Sequence, residues 1–246
     1  MFLSLKNTPK LFIGLLTVVF LAGCSEKQVG NLYFPLQKDL SWTYTVTTEY
    51  PDDVTQSELT ITNVGKQYFD DKPYFVRRTS SGIDYYLNHD ETGVYREGLR
   101  TLVEMKPRLD RERRYVLKTP LLIGTDWNEI TRPLLLLRVH PYRERVGKKS
   151  QVPLSYRIES VTDSVTVAAG KFENCIKVVA EGKIEIYTDA VNGYTDIPIN
   201  TEEWYAPGVG LVKQIRYELY DQVIEGMNTP IFIGGKTTLE LQSYNK

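Results

Sequence analysis

The chain has 246 residues, with 30 basic and 31 acidic side chains and a net charge of −1 at pH 7. This balance excludes the bulk positive charge that is typical of nucleic-acid-binding proteins. Two histidines, far apart in sequence, exclude a recognisable zinc motif. Seventeen tyrosines shift the composition toward strand-forming residues.

The first 23 residues have the three parts of a secretory signal peptide. Residues 1–10 carry Lys6 and Lys10 but no acid, and residues 11–20 are apolar or small throughout. Residues 11–23 are too few for a transmembrane helix, which needs about 20 residues. We therefore predict that residues 1–23 are removed by a signal peptidase.

The sequence "LAGC" (21–24) resembles the lipobox of bacterial lipoproteins. The resemblance implies that Cys24 carries a diacylglyceryl thioether and becomes the new N-terminus, so that two or three acyl chains anchor the protein. By analogy with enterobacterial sorting, Ser25 predicts the outer membrane, with the protein facing the periplasm. Residues 24–31 form a short polar tether, which predicts a folded part close to the membrane. Cys175 is then left without a disulfide partner.

Residues 42–98 predict a run of antiparallel strands. In "WTYTVTTEY" (42–50), Trp42, Tyr44 and Val46 alternate with threonines, which is the period of a strand with one buried face. The same period covers the ranges 57–64, 74–80, 82–88 and 92–98 at the spacing of hairpins. The one helix candidate, "GLRTLVEM" (98–105), is stopped by Pro107.

The middle of the chain is basic. Residues 100–149 hold 13 basic and 6 acidic side chains, a net charge of +7, between flanks of net charge −5 each. We interpret this block as an interaction patch for an envelope protein or an anionic lipid. The alternative is a set of solvated side chains that pair with the acidic flanks. The candidate patch residues are Arg108, Arg111, Arg113, Arg114, Arg143, Arg145, Lys148 and Lys149.

Within and after this block, apolar patterns predict further strands. "PLLLLRV" (133–139) lies between prolines and predicts a buried strand. Strand patterns then cover the ranges 154–161, 163–182, 183–189, 210–221 and 236–244, and Asn192-Gly193 predicts a tight hairpin turn. By alternation, Cys175 points away from the face of Phe172 and Ile176 unless a bulge intervenes.

These patterns predict an all-β fold: an antiparallel curved sheet, as a half-open barrel or a sandwich, in one domain over residues 32–246. Trp42 and Trp127 each lie seven residues after the proline of a Pro-Leu pair. This spacing suggests two similar halves, 32–118 and 119–246. The alternative is two similar turns in one meander.

Two stretches resemble β-rich bacterial lipoproteins whose activity is not established. They are "VTVAAGKFENC" (165–175) and "YAPGVGLVK" (205–213), and the Pro-Leu-to-Trp opening also occurs in those families. Ala168 departs from the pattern, which often has proline there. The resemblance implies a barrel-like or curved antiparallel sheet and brings no catalytic residues. Turn chemistry accounts for the glycines and the proline of both stretches.

The sequence offers no recognisable catalytic, metal or cofactor motif. "NHDETG" (88–93) gathers possible cation ligands but matches a polar hairpin loop. In "TEEWY" (201–205), Glu202 and Glu203 are adjacent on a strand and therefore point to opposite faces, so they cannot form an acid/base pair. His140 precedes a proline in a basic stretch and is expected at the surface.

We therefore expect a membrane-anchored periplasmic lipoprotein with a non-catalytic accessory or binding role. It would need no cofactor and would have no nucleic-acid partner. The first alternative is a carrier of an apolar ligand such as lipid, held inside a half-open β-structure. The second alternative is a hydrolase of the cell envelope, which depends only on "TEEWY" and "NHDETG".

Overall fold

A computed structural model describes residues 30–139, 143–147, 149–189, 193–220 and 232–245. The predicted signal peptide, the predicted lipidation site Cys24, His140 and Lys148 lie outside these residues. Every regular element that the model describes is a β-strand. No helix in this part of the chain is long and apolar enough to cross a membrane.

The described residues form seventeen strands, numbered in chain order. They are β1 (Gly30–Asn31), β2 (Phe34–Pro35), β3 (Ser41–Tyr50), β4 (Asp53–Phe69), β5 (Lys72–Thr79), β6 (Asp84–Asp90), β7 (Gly93–Arg100), β8 (Arg108–Lys118), β9 (Asp126–Thr131), β10 (Leu137–Arg138), β11 (Glu144–Arg145), β12 (Val152–Val167), β13 (Gly170–Asp189), β14 (Gly193–Ala206), β15 (Gly210–Glu218), β16 (Phe232–Ile233) and β17 (Gly235–Tyr244).

Twelve of the strands make one antiparallel sheet, in the order β8-β7-β6-β5-β4-β3-β17-β15-β14-β13-β12-β9. Two meanders, β3 to β8 and β12 to β15, are joined by β17, which pairs with β3 on one side and β15 on the other. The predicted all-β, antiparallel fold class is therefore confirmed. Strands β1 and β2 form a separate small hairpin, and β10, β11 and β16 form a three-stranded sheet.

Side chains bring the two edge strands of the large sheet together. The Glu129 carboxylate on β9 accepts hydrogen bonds from the Tyr115 backbone N–H and, at 3.3 Å, from the Arg114 side chain on β8. Arg114 also donates to the Ile130 carbonyl oxygen. The sheet is thus nearly closed and barrel-like, with a seam made by side chains.

The strands define two ends of the sheet. We call "N-terminal end" the one that carries the β6–β7 turn (91–92), the β8–β9 loop (119–125) and the β14–β15 turn (207–209). The opposite, "distal" end carries the β5–β6 turn (80–83) and the β7–β8 loop (101–107). The eight residues of β7 alone separate the two ends by about 25 Å, since a strand rises about 3.3 Å per residue.

A partly buried arginine holds the N-terminal hairpin β1–β2 across the first of these ends. Arg77 on β5 donates to the Pro35 carbonyl oxygen at 2.8 Å and to the Asn63 side-chain oxygen at 2.9 Å. Its guanidinium also lies 4.0 Å from the ring centroid of Phe34 and 4.6 Å from that of Trp42. These contacts fix the hairpin against the sheet.

At the distal end, a buried carboxylate holds the segment that follows β9. Glu218, which is fully buried, accepts hydrogen bonds from the backbone N–H groups of Leu134, Leu135 and Leu136. Arg216 donates to Glu218 at 2.7 Å. The predicted strand 133–139 is therefore wrong apart from the two residues of β10, because Glu218 takes the N–H groups that a strand neighbour would have taken.

Other predictions need correction at particular places. The helix candidate 98–105 is wrong, since β7 continues to Arg100 and a loop follows. No predicted strand range covers β8 or β9. For β14, the sequence predicts a strand only over the five residues of "TEEWY" (201–205). In β8 the outward positions are charged and many inward ones are only half buried, so the apolar period is weak.

Cys175 is fully buried, in a cluster with Trp42, Tyr44 and Leu241. Strict alternation pointed it away from the core, but the β12–β13 register shifts on both sides of Asp163. Asn174, just before the cysteine, has a φ of 54°. This local irregularity buries Cys175 and its neighbour Ile176 together, and burial raises the pKa of the thiol to about 11.

Candidate interaction surface

The β7–β8 loop (101–107) presents three apolar side chains to solvent. Leu102, Val103 and Met105 are 81%, 92% and 94% exposed. Large apolar side chains are rarely so exposed together on a soluble protein unless they contact something else. This cluster is therefore the most prominent apolar feature of the described surface.

The loop is held in a defined conformation. The Glu104 carboxylate accepts hydrogen bonds from the backbone N–H and the hydroxyl of Thr101, at 2.8 and 2.9 Å, and these bonds lower the pKa of Glu104. Leu102 lies directly over Gly82 in the β5–β6 turn, where an added Cβ would meet its side chain at 2.4 Å. The apolar side chains are thus displayed by a structured turn.

Basic residues follow the apolar tip along the chain. Lys106 and Arg111 are exposed, and neither forms an ion pair among the described residues. Arg108 approaches the Glu104 carboxylate only to 3.9 Å and is 67% exposed at its side chain. We define Leu102, Val103, Met105, Lys106 and Arg111 as the "loop surface". It combines apolar area with positive charge that no ion pair among the described residues neutralises.

The structure distributes the predicted basic patch over several places. Arg108 approaches the loop at Glu104, and Arg111 lies three residues further along β8, in a depression that Lys72 and Glu97 also line. Arg113 instead donates to Asp90 at 2.7 Å and stacks on the Tyr95 ring at 4.2 Å. The hydrogen bonds from Thr92, followed by those from Tyr95 and Arg113, lower the pKa of Asp90 to about 2. Arg114 belongs to the seam between β8 and β9.

The second part of the predicted patch lies elsewhere. Arg143 donates to Asp52 at 2.8 Å and lies over the ring of Tyr50. Arg145 and Lys149 are exposed, and Lys148 is outside the described residues. In the part of the chain that the structure describes, no contact joins these side chains to the arginines of β8. The structure therefore does not gather all eight residues: Arg108 approaches the loop through Glu104, and Arg111 follows it on β8.

Sequence reasoning missed the three apolar residues of the loop surface. The range 98–105 is the helix candidate of the sequence, and a helix there would bury part of its apolar face. The signal that could have found them is Thr101 followed three residues later by Glu104, a pattern that closes a turn locally. Pro107 follows soon after Glu104, so the segment between Thr101 and Pro107 is too short to form a regular strand or helix.

The interior of the sheet is filled by the protein's own side chains. Three large clusters form the core, and their central members are Phe34, Leu117 and Ile158, then Leu136, Leu154 and Ile199, then Trp42, Cys175 and Leu241. The best-defined depressions of the described surface, of about 440 and 220 Å³, are open to solvent and lined mostly by polar residues. This arrangement disfavours the first alternative function, that of a carrier for an apolar ligand.

The two adjacent glutamates of β14 point to opposite faces, as predicted. Glu203 is buried and accepts hydrogen bonds from the Tyr205 hydroxyl at 2.5 Å and from Gln214 at 2.6 Å. Glu202 lies on the other face, 3.1 Å from the ammonium group of Lys177. The pair that motivated the hydrolase alternative therefore shares no site.

The stretch "NHDETG" forms the end of β6 and the turn to β7. Asp90 bonds locally to Thr92 and Tyr95, and the ring of His89 lies 5.5 Å from that of Phe75. Among the described residues, no three side chains of His, Cys, Asp or Glu converge as metal ligands would.

Comparisons with known proteins give a partial family assignment. Residues 147–227 match a family described as DUF3108-like, a range that includes the stretches 165–175 and 205–213. This range is about a third of the chain, so similarity to a known family is confirmed for that part. No curated protein matches the chain significantly.

Two solved structures resemble the chain over most of its length. One is a candidate exported protein of Bacteroides fragilis with a YmcC-like fold, at 14% identity and a TM-score of 0.37, covering 88% of this chain and 100% of that one. The other is a candidate lipoprotein of Parabacteroides distasonis, at 15% identity and a TM-score of 0.37, covering 89% of this chain and 100% of that one.

Proposed function

We propose that this protein is a lipoprotein of the bacterial outer membrane, anchored through acylated Cys24, with a non-catalytic binding role in the periplasm. The sequence basis for the anchor is the signal peptide that ends in "LAGC". The observation that carries the binding role is the loop surface, with its exposed apolar tip and with Lys106 and Arg111, which form no ion pair with any residue that the structure describes.

The partner that fits this surface is an envelope protein with an apolar groove and carboxylates at its rim. Such a groove would cover the apolar tip, and its carboxylates would pair with the two cations. The position of the loop favours a protein over the anchoring membrane. The chain enters the described fold at Gly30, at the N-terminal end, whereas the loop surface lies at the distal end.

The anchor can be tested by mass spectrometry of the full-length protein extracted from the membranes of its own host. We expect the mass of a chain that begins at Cys24 and carries two or three acyl chains. An unacylated chain would contradict the anchor, and the predicted localisation with it.

The binding role can be tested by photo-crosslinking in intact cells. A photoreactive amino acid in place of Val103 should give a discrete crosslinked protein, while the same amino acid in place of Tyr68, which is 70% exposed on β4, should not. Lys106→Glu with Arg111→Glu should remove most of the product, because both changes reverse the attracting charge. Equal labelling from both positions, or a product that survives the charge reversal, would contradict a specific site.

A further inference from the structure

Three further apolar side chains are exposed at the N-terminal end. Leu32 is 48%, Leu122 61% and Ile123 67% exposed. They belong to two segments, residues 30–36 and 119–125, neither of which contains a charged residue. These two apolar, uncharged segments differ from the loop surface, where basic residues follow the apolar tip.

Both segments lie at the same place in the fold. Hairpin β1–β2 contacts β6 and β7, and Leu32 accepts a hydrogen bond from the Gly208 backbone N–H at 2.7 Å. The other segment begins at Thr119, whose backbone N–H donates to the Thr92 carbonyl at 2.9 Å in the β6–β7 turn. Leu121 packs into the core cluster that contains Phe34. The exposed side chains therefore lie close together around one end of the sheet.

The β8–β9 loop keeps its two apolar side chains pointing outward. Leu122 donates its backbone N–H to the Pro120 carbonyl at 2.9 Å, and the Thr125 hydroxyl donates to the same oxygen at 2.6 Å. Gly124 donates to the Ile158 carbonyl on β12 at 2.9 Å. With the loop tied down at these points and Leu121 taken into the core, Leu122 and Ile123 face solvent.

We propose that this end rests on the membrane leaflet that holds the acyl chains of Cys24, with Leu32, Leu122 and Ile123 in its interfacial region. This inference depends on the proposed lipid anchor. Gly30 lies six positions after Cys24, and six residues span at most about 20 Å when fully extended. However these residues are arranged, the N-terminal end stays within that distance of the leaflet.

A lipid surface is the occupant that these residues favour. Apolar side chains gain free energy when they leave water for the boundary between headgroups and acyl chains, and no charged residue lies within the two segments that carry them. The tether keeps the local concentration of lipid surface high, so a small apolar area suffices. With this end on the leaflet, the loop surface points into the periplasm, where a protein partner can reach it.

Site-directed spin labelling of the acylated full-length protein tests the proposal. Single variants Ile123→Cys and Leu32→Cys carry the nitroxide, and Val103→Cys at the distal end is the matched control. The native thiols do not interfere, because acylated Cys24 is a thioether and Cys175 is fully buried. The samples are vesicles of phosphatidylethanolamine and phosphatidylglycerol, and the mass of each sample reports the acylation of Cys24.

We expect the labels at 123 and 32 to collide several-fold more often with oxygen than with a water-soluble nickel chelate, and the label at 103 to show the reverse. Acylated protein with aqueous labels at 123 and 32 overturns the inference and leaves the anchor in place. Protection from both reagents means that a second copy covers this end, which also overturns it. A sample without acyl chains removes the anchor, and the inference with it. Lipid exposure at all three positions supports the inference but removes the periplasmic orientation of the loop surface.

Discussion

The two ends of the sheet are each closed by a segment that an arginine helps to hold, but the two arginines have different partners. At the N-terminal end, Arg77 is bound by neutral oxygens and by aromatic ring faces. At the distal end, Arg216 is paired with the carboxylate of Glu218, which itself accepts three backbone N–H groups.

This difference predicts which end is more sensitive to substitution. If one member of a buried ion pair is removed, the other charge stays buried without compensation. If an arginine without a carboxylate partner is removed, the buried charge goes with it, and only neutral acceptors lose a donor. The distal end should therefore depend more strongly on a single side chain.

The largest effect is expected for Glu218→Ala. Arg216 loses its carboxylate, and the N–H groups of Leu134, Leu135 and Leu136 lose their acceptor. We expect the free energy of unfolding to fall by about 3–5 kcal/mol. Urea unfolding of the purified protein measures this change.

The matched control is Glu240→Ala, which breaks a partly exposed pair with Lys213 and should cost no more than about 1 kcal/mol. Similar losses for the two variants would contradict the role of Glu218 as the anchor of residues 134–136.

A smaller loss is expected for Arg77→Met at the other end. The variant leaves the Asn63 and Pro35 oxygens without this donor and removes the cation from the ring faces, which together should cost about 2 kcal/mol. Part of the loss is offset, because burial disfavours the charged guanidinium and lowers its pKa to about 10. Hydrogen exchange should show faster opening of residues 32–37 than in the wild type.

For Arg77→Met, the exposed Lys171→Met is the control, since its partner Glu173 is also at the surface. It should leave both the stability and the exchange of residues 32–37 unchanged. A global loss of Arg77→Met above that of Glu218→Ala would reverse the comparison between the two ends.

The sequence predicts much of the sheet and little of what closes it. Trp42 and Tyr44 alternate with threonines, and this period is enough to assign β3 and its buried face. Arg77 and Arg78 look alike in sequence, yet only the first lies among aromatic rings. Alternation does not say which of two adjacent arginines faces inward when their neighbours on both faces are apolar.

The closure of the distal end depends on a contact between residues far apart in the chain, whereas the loop surface depends on the local pair of Thr101 and Glu104. Glu218 lies 82 to 84 positions from the backbone groups that it binds, so its burial has no local signature. The apolar run 133–139 predicts a strand, and the long-range carboxylate takes precedence over that preference. The lipobox is different, because its information is entirely local.

The smallest effect is expected at Glu203, whose carboxylate faces the interior between the two ends. Burial raises the pKa of Glu203, and the hydrogen bonds from Tyr205 and Gln214 and the charge of Arg216 only partly reverse this. The folded protein therefore holds this proton more tightly than the unfolded chain, whose value is about 4.3. The stabilisation is complete below that pH and is lost as the pH rises through the higher folded value.

Glu203→Gln cannot ionise, so its melting temperature relative to the wild type should increase between about pH 4 and pH 8. The exposed Glu173→Gln should show no such rise, since pairing with Lys171 lowers the pKa of Glu173. A pH-independent difference for Glu203→Gln would mean that the hydrogen bonds and Arg216 compensate the burial of the carboxylate in full.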